Sequence, residues 1–460
     1  MKGFFFTKWT LVVLCVLIKT GIARAFTTAN DGTEYNFEKL STIENAGVKK
    51  IMEGNTICYM IETSDTIASN DVFKIDQGVI IKFADQAELV ILGEADLQST
   101  EEHPTLLTTT SDNTAYGILL RNEGGIMMSW INFEHVGFTA MSPGSVNVSH
   151  CHFSNHNGKT AAALFFISAG TMSTISDCVF ERCTNAAIGS AANASQPMTI
   201  TNCVFNQNST DNTNKPQINI TASEIVIDNC KVLGDSSSIT VNNMVGGIGI
   251  SNFVGYESDI KITNCQIMHN RYGIGTVGPA KIIVKDNLIC HNNHEANPMN
   301  GGSGISFYDP YGQTTALVSQ NLIEGNMWGI TIIGCKDVNV GKPAGSEVSS
   351  PGLNVFKNNG FNNQPYDLYN NSTITVYAQN NIWSVEQQTE ELIETVIYHQ
   401  HDNSNLGEVI FMPAFDETSH MSSLRLKKEE GKLYDLNGRV VKVQNNKRNL
   451  LISNGKKMVR

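Results

Sequence analysis

Short alternations of apolar and polar residues recur along the middle of the chain. Thr199 to Thr201, Glu224 to Ile227, Asp259 to Thr263 and Lys281 to Lys285 alternate with period two and show no helical spacing. Each ends just before a fixed motif. Asp177-Cys178-Val179-Phe180, Asn202-Cys203-Val204-Phe205, Asn229-Cys230-Lys231-Val232 and Asn264-Cys265-Gln266-Ile267 are one element repeated, with His150-Cys151-His152-Phe153 ahead of them. The column continues through Asn287, Asn321, Asn354 and Asn381, each followed two residues later by Ile, Phe or Trp, at intervals of 22 to 35 residues. Periods of this size indicate stacked supersecondary units, each burying its apolar face only against its neighbours.

A second recurrence lies downstream. Asn270-Arg271-Tyr272-Gly273-Ile274 matches Asn326-Met327-Trp328-Gly329-Ile330, and Gly304-Ile305-Ser306-Phe307 follows the same logic after an insertion. One coil therefore reads as strand, turn, strand, loop, strand, and coils about 4.8 Å apart align like residues into ladders. The predicted fold is an all-β solenoid, a single-stranded parallel β-helix with terminal caps. Cys151, Cys178, Cys203, Cys230 and Cys265 are expected inside as free thiols acting as small hydrophobes. Asn270, Asn292, Asn326 and Asn359, each five residues past a column residue, are expected as a turn ladder.

These motifs resemble secreted right-handed parallel β-helix repeat proteins of Bacteroidetes, within the pectate-lyase-like superfold, over roughly residues 72 to 416. The right hand is what the resemblance and the chirality of parallel crossovers imply. The ends predict closure. Phe37, Leu40 and Ile43 sit at helical intervals, and Ser384 with Gln387 forms a capping box before Leu392, Ile393, Val396 and Ile397, which reads as a helix over the last coil. The expected organisation is a signal peptide over 1–25, an N-terminal cap region over 26–71, the β-helix with its capping helix over 72–416, and a linker with a terminal segment over 417–460.

Export follows from the first residues. Lys2 and Lys8 precede the apolar run Leu11 to Ile18, and Ala23-Arg24-Ala25 is a small-x-small cleavage site. At the other end, Tyr434-Asp435-Leu436-Asn437-Gly438-Arg439 and Asn454-Gly455-Lys456-Lys457 resemble the C-terminal sorting domain read by the type IX secretion system. That resemblance implies a secreted or cell-surface protein whose C-terminal segment meets the outer-membrane secretion machinery. The body is expected to be monomeric.

Charge narrows the partners. The chain has 32 Lys and Arg against 44 Asp and Glu, a net of −12, so a general nucleic-acid binder is excluded. A typical polygalacturonase is excluded too, since there is no Asp-Asp pair and no histidine flanked by glycines. Asp309-Pro310-Tyr311-Gly312 only partly resembles the Asp-Pro-His-Asp element of uronate epimerases of this fold.

A polysaccharide lyase needs less: a cation or Ca²⁺ to neutralise a uronate carboxylate, and a base. Only in that case is a Ca²⁺ cofactor expected. His269 and His291 share a repeat position and are read mainly as turn residues, and His150, His152 and His156 as surface positions rather than a zinc site. No metal site and no catalytic residue is assigned. The irregular stretches Asn242 to Ser258, His294 to Tyr311 and Ile333 to Pro351 are the expected ligand loops. Their candidate binding residues are Tyr256, Tyr308, Asp309 and Tyr311, with Arg271 and Trp328 from the matching turns. The expected activity is binding, with or without cleavage, of a complex polysaccharide; the rival is a non-catalytic surface, adhesive or structural solenoid.

Overall fold

The computed structural model describes residues 26–415, apart from 111–114, 168–169, 222, 237–243, 256, 296–299 and 343–349, together with 450–453 and 456–459. The signal segment thus lies outside the described residues. So does most of the terminal sorting-like segment, which shows an antiparallel hairpin of Leu450–Ser453 with Lys456–Val459. The body, up to Phe415, is one unit.

That unit is a parallel β-helix of three sheets, with 14 strands in sheet A, 14 in sheet B and 13 in sheet C. Each coil runs through A, then B, then C. One coil, for example, uses Glu224–Asp228 in B and Lys231–Leu233 in C, then Ile248–Ser251 in A. Apart from the antiparallel hairpin of Val48–Glu53 with Thr56–Ile61 that opens sheet C, each strand pairs in parallel with its counterpart one coil on, as Asp259–Thr263 does with Lys281–Lys285. Register is fixed by burial, because a one-residue slip would turn every inward side chain outward. Along sheet C the inward position is Phe133, Phe153, Phe180 and Phe205, whose rings stack at 4.5, 4.8 and 5.1 Å.

The corner from B to C takes two residues. The first has positive φ, as in Asp177, Asn202, Asn229 and Asn264 (52–56°), a conformation that Asn and Asp tolerate. The second is the buried column. Cys151, Cys178, Cys203, Cys230 and Cys265 are all buried and unpaired, each thiol within 3.1–3.4 Å of the carbonyl two residues back. The column then passes to asparagine: Cys265 N donates to Asn287 Oδ1 at 2.8 Å, and Asn287, Asn321, Asn354 and Asn381 link amide to amide at 2.9–3.0 Å.

The corner from C to A carries the second ladder. Asn270, Asn292 and Asn326 each donate through Nδ2 to the Oδ1 of the next member, ending at Asn359. Earlier along this edge, where the coil of Cys230 places Asp235 rather than asparagine at the ladder position, Gln217 bridges instead. Its Oε1 accepts from Asn208 Nδ2 at 3.0 Å and its Nε2 donates to Asn270 Oδ1 at 2.9 Å. Every buried amide in these rows is thereby satisfied by its neighbours.

The ends differ from expectation. The N-terminal region is part of the solenoid, since Phe26–Thr27 pairs with Asp65–Ile67 in sheet A and Glu34–Tyr35 with Val72–Lys74 in sheet B. Its helix is short, Phe37–Leu40, with Asn36 accepting from Lys39 N. At the far end the helix is Glu390–Glu394, and Ser384 does not cap it. The Ser384 hydroxyl is taken by Asp367 at 2.7 Å, Thr389 holds the N-cap position, and Ile397 belongs to a sheet A strand.

Candidate functional site

Tyr308 ends the sheet A strand Ser303–Tyr308, and residues 309–314 turn the chain into sheet B. This A–B edge holds three of the six predicted residues, Tyr308, Asp309 and Tyr311. Tyr308 is 43% exposed and Tyr311 75%. Asp309 is buried, and its carboxylate accepts from Tyr311 N at 3.0 Å, Gln313 N at 2.8 Å and Thr314 N at 2.6 Å. Burial pushes its pKa up, but those amide donors outweigh it and hold the group below the usual carboxylate range. Asp309 therefore shapes the loop that presents the two tyrosines. Gly334 makes that packing possible, because a Cβ there would lie 2.4 Å from Asp309 O.

Two coils earlier the same edge carries Phe253, 70% exposed, beside the exposed Val254. The intervening corner is Gly278, where φ is +86° and a Cβ would meet Asn252 O at 2.2 Å. Phe253 and the Tyr308–Tyr311 turn are thus separated by about 10 Å of flat glycine corner. Tyr256, predicted in this group, lies outside the described residues. Phe253 was missed because a single aromatic in a loop carries no periodic signal.

Arg271 and Trp328 stand at the opposite, C–A edge of sheet A, so one groove does not unite the predicted residues. A strand of five to six residues, about 17–20 Å, separates the edges. The Arg271 side chain is buried and tied to loops. Nη1 donates to Asn214 Oδ1 and lies 3.4 Å from Met244 O, and Nη2 donates to Asn300 O. Trp328 stacks on Tyr369 at 4.5 Å, and Tyr369 on Tyr398 at 4.4 Å, both within 4° of parallel, while Tyr366 meets them edge-on. In such a ladder the ring faces are used by one another.

The same edge gathers three imidazoles. The rings of His269 and His291 stack at 5.5 Å, and His294 lies 6.2 Å from His269. Burial and then its neighbour's charge lower the pKa of His269, and likewise that of His294, where Asp235 acts the other way. His269 and His291 hold the positive-φ turn position that Asn155 and Asn358 fill in other coils. Among the described residues no three His, Cys, Asp or Glu side chains are placed to hold a metal ion.

His150, His152 and His156 diverge. His150 stacks on Trp130, His152 Nε2 lies 3.0 Å from Glu181, and His156 is buried beside Thr160. The surface reading thus fails for His156, whose pKa burial lowers to about 4.

A groove of about 1260 Å³ opens on the A–B edge in the earlier coils, where sequence reading singled out nothing. It runs over the corners at Gly93, Gly124-Gly125 and Pro143 and along the outer face of sheet B, past Lys74, Asp96, Met127 and Asn147. Its corners are rigid. Asn122 Nδ2 donates to Gly93 O at 2.7 Å, and Ser142 Oγ lies 3.0 Å from Gly124 O. A Cβ at Gly93 would sit 1.9 Å from Asp71 O in the adjacent coil, so only glycine lets the coils stack at this corner. Arg121, Glu94 and Glu123 are exposed on its wall.

A sequence profile for the right handed beta helix region matches residues 59–232. The solenoid is right-handed. No curated protein matches the chain significantly in sequence. Among solved structures, a single-site variant of the periplasmic alginate epimerase AlgG is similar with a TM-score of 0.47 and 10% identity, over 82% of this chain and 84% of that one. AlgG itself gives 0.44 and 9%, over 82% and 83%. The A-module of the Azotobacter vinelandii mannuronan C-5 epimerase AlgE6 gives 0.20 and 11%, over 78% and 88%. Likeness at this level says nothing of activity.

Proposed function

We propose that this is an exported or cell-surface β-helix protein whose A–B edge binds a polysaccharide. The observation that carries the reading is the 1260 Å³ groove, open and lined by both charged and apolar side chains, on the same edge as the exposed rings of Phe253, Tyr308 and Tyr311. Seven coil spacings, about 34 Å, separate the Arg121 corner from the Tyr308 corner, a track suited to an extended polymer. Tyrosine presents a flat apolar face and a polar tip, the pairing that a sugar ring needs. Rigid coils hold the track in shape before the ligand arrives, so little ordering cost falls on the protein.

Binding is favoured over cleavage at the tyrosines, because Asp309 is committed to its turn and the imidazoles stand on the other edge. Titration of the purified chain with uronate-containing, amino-sugar and neutral polysaccharides, scored for binding and for new unsaturated ends, tests the reading. Binding without new ends is expected. Unsaturated products would make the protein a lyase, and silence across the panel would leave the solenoid a spacer or docking body.

A further inference from the structure

The charge of the β-helical unit bears on which polysaccharide the A–B edge takes, a step that rests on the binding reading above. Residues 26–415 hold 17 Lys and Arg against 39 Asp and Glu, a net of −22. About half of the cations are paired or buried. Eight of them lie within 4.0 Å of a carboxylate, and Arg271 is buried among loop carbonyls. The groove repeats the imbalance. Its Lys74 is held by Glu34 at 2.7 Å, which leaves Arg121 alone against Asp96 and the exposed Glu94 and Glu123.

A polymer with one negative charge per sugar would meet the carboxylates of Glu94, Asp96 and Glu123 in the groove, whereas a polycation is drawn towards them. Glycine corners between carboxylate walls also let a chain lie close enough for its substituents to reach them. We infer that the ligand is a cationic glycan, a polymer of 2-amino sugars with free ammonium groups. Those groups pair with Glu94 and Glu123 in the groove, and a longer chain continues along the edge to rest its sugar faces on Tyr308 and Tyr311.

The test is calorimetric titration of the full chain with hexamers of glucosamine, N-acetylglucosamine and galacturonic acid. It is run with chelator at about pH 6 and at about 0.05 and 0.5 M salt. The glucosamine hexamer is expected to bind most tightly and to weaken as salt rises. The double variant Glu94→Gln/Glu123→Gln is expected to lose about tenfold in affinity, and Glu102→Gln, outside the groove, to lose nothing. Equal or tighter binding of either other hexamer, salt-insensitive binding, or an unchanged double variant overturns the inference. If galacturonate or N-acetylglucosamine wins, polysaccharide binding stands and only the charge class falls. If none of the three binds, both fall.

Discussion

The Asn359 side-chain amide donates to Asp367 Oδ1 at 3.0 Å, and with that bond the asparagine ladder of the C–A edge ends on a carboxylate. Asp367 also accepts from Ser384 N at 2.8 Å and Ser384 Oγ at 2.7 Å. Burial outweighs these donors and pushes its pKa up to about 6. A folded value above the unfolded one makes the contribution full below about pH 4 and lost as pH rises through 6, by up to about 3 kcal/mol. Relative to Asp367→Asn, the parent protein should therefore lose stability between about pH 4 and 7. Urea unfolding of both proteins across that range reads the difference; a constant gap would mean that the carboxyl does not titrate there.

Asn326 shows what the ladder is worth. Its Oδ1 accepts from Asn292 N and Nδ2 at 3.0 and 2.9 Å, while its Nδ2 donates to Ile289 O and Asn359 Oδ1, both at 3.0 Å. Asn326→Ala strands buried partners on both sides and should cost about 1–3 kcal/mol. Gln217→Ala should cost a similar amount, because it breaks the bridge between Asn208 and Asn270. Unchanged denaturation midpoints would mean that water replaces the amides.

The repeat was legible because stacking forces identical chemistry at identical positions. Cys178, Phe180 and Asn292 each announce their place by what stands one coil away. Gln217 was not legible, since it fills a gap in the ladder from an irregular loop, out of period. Arg271 misled for the same reason. Its spacing matches that of a turn, but whether a guanidinium faces solvent or loop carbonyls depends on Asn214, Met244 and Asn300, which arrive from other coils. The groove was missed because its corners are largely glycine and its walls are scattered charges, neither of which forms a motif.

The cysteine column predicts a thiol count. In-register side chains point in parallel, which suits the dihedral of a disulfide poorly, and all nine cysteines between residues 26 and 415 are free and buried. Burial pushes the Cys183 thiol to about 12 and raises Cys178 as well, so these two form little thiolate at neutral pH. Titration of the unfolded, unreduced chain should find these nine thiols, and the folded protein should react only as fast as it opens. A count near one would show the column cross-linked.

Separating the two edges of sheet A gives the sharpest expectation. Tyr311 is 75% exposed, so Tyr311→Ala should leave stability within about 0.5 kcal/mol. If the A–B edge binds glycan, the same change should weaken binding about three- to tenfold, the loss expected for one stacked ring. Trp328→Ala should do the reverse. It strips one face of Tyr369 and should cost about 1–2 kcal/mol of stability, while the affinity of the folded fraction stays the same. Arg271→Ala belongs with Trp328, because it removes a buried tie among three loops. Thermal unfolding and glycan titration on the same samples divide the cases. Should Trp328→Ala or Arg271→Ala weaken binding without loss of stability, the ligand must cross sheet A, and the two edges form one site after all.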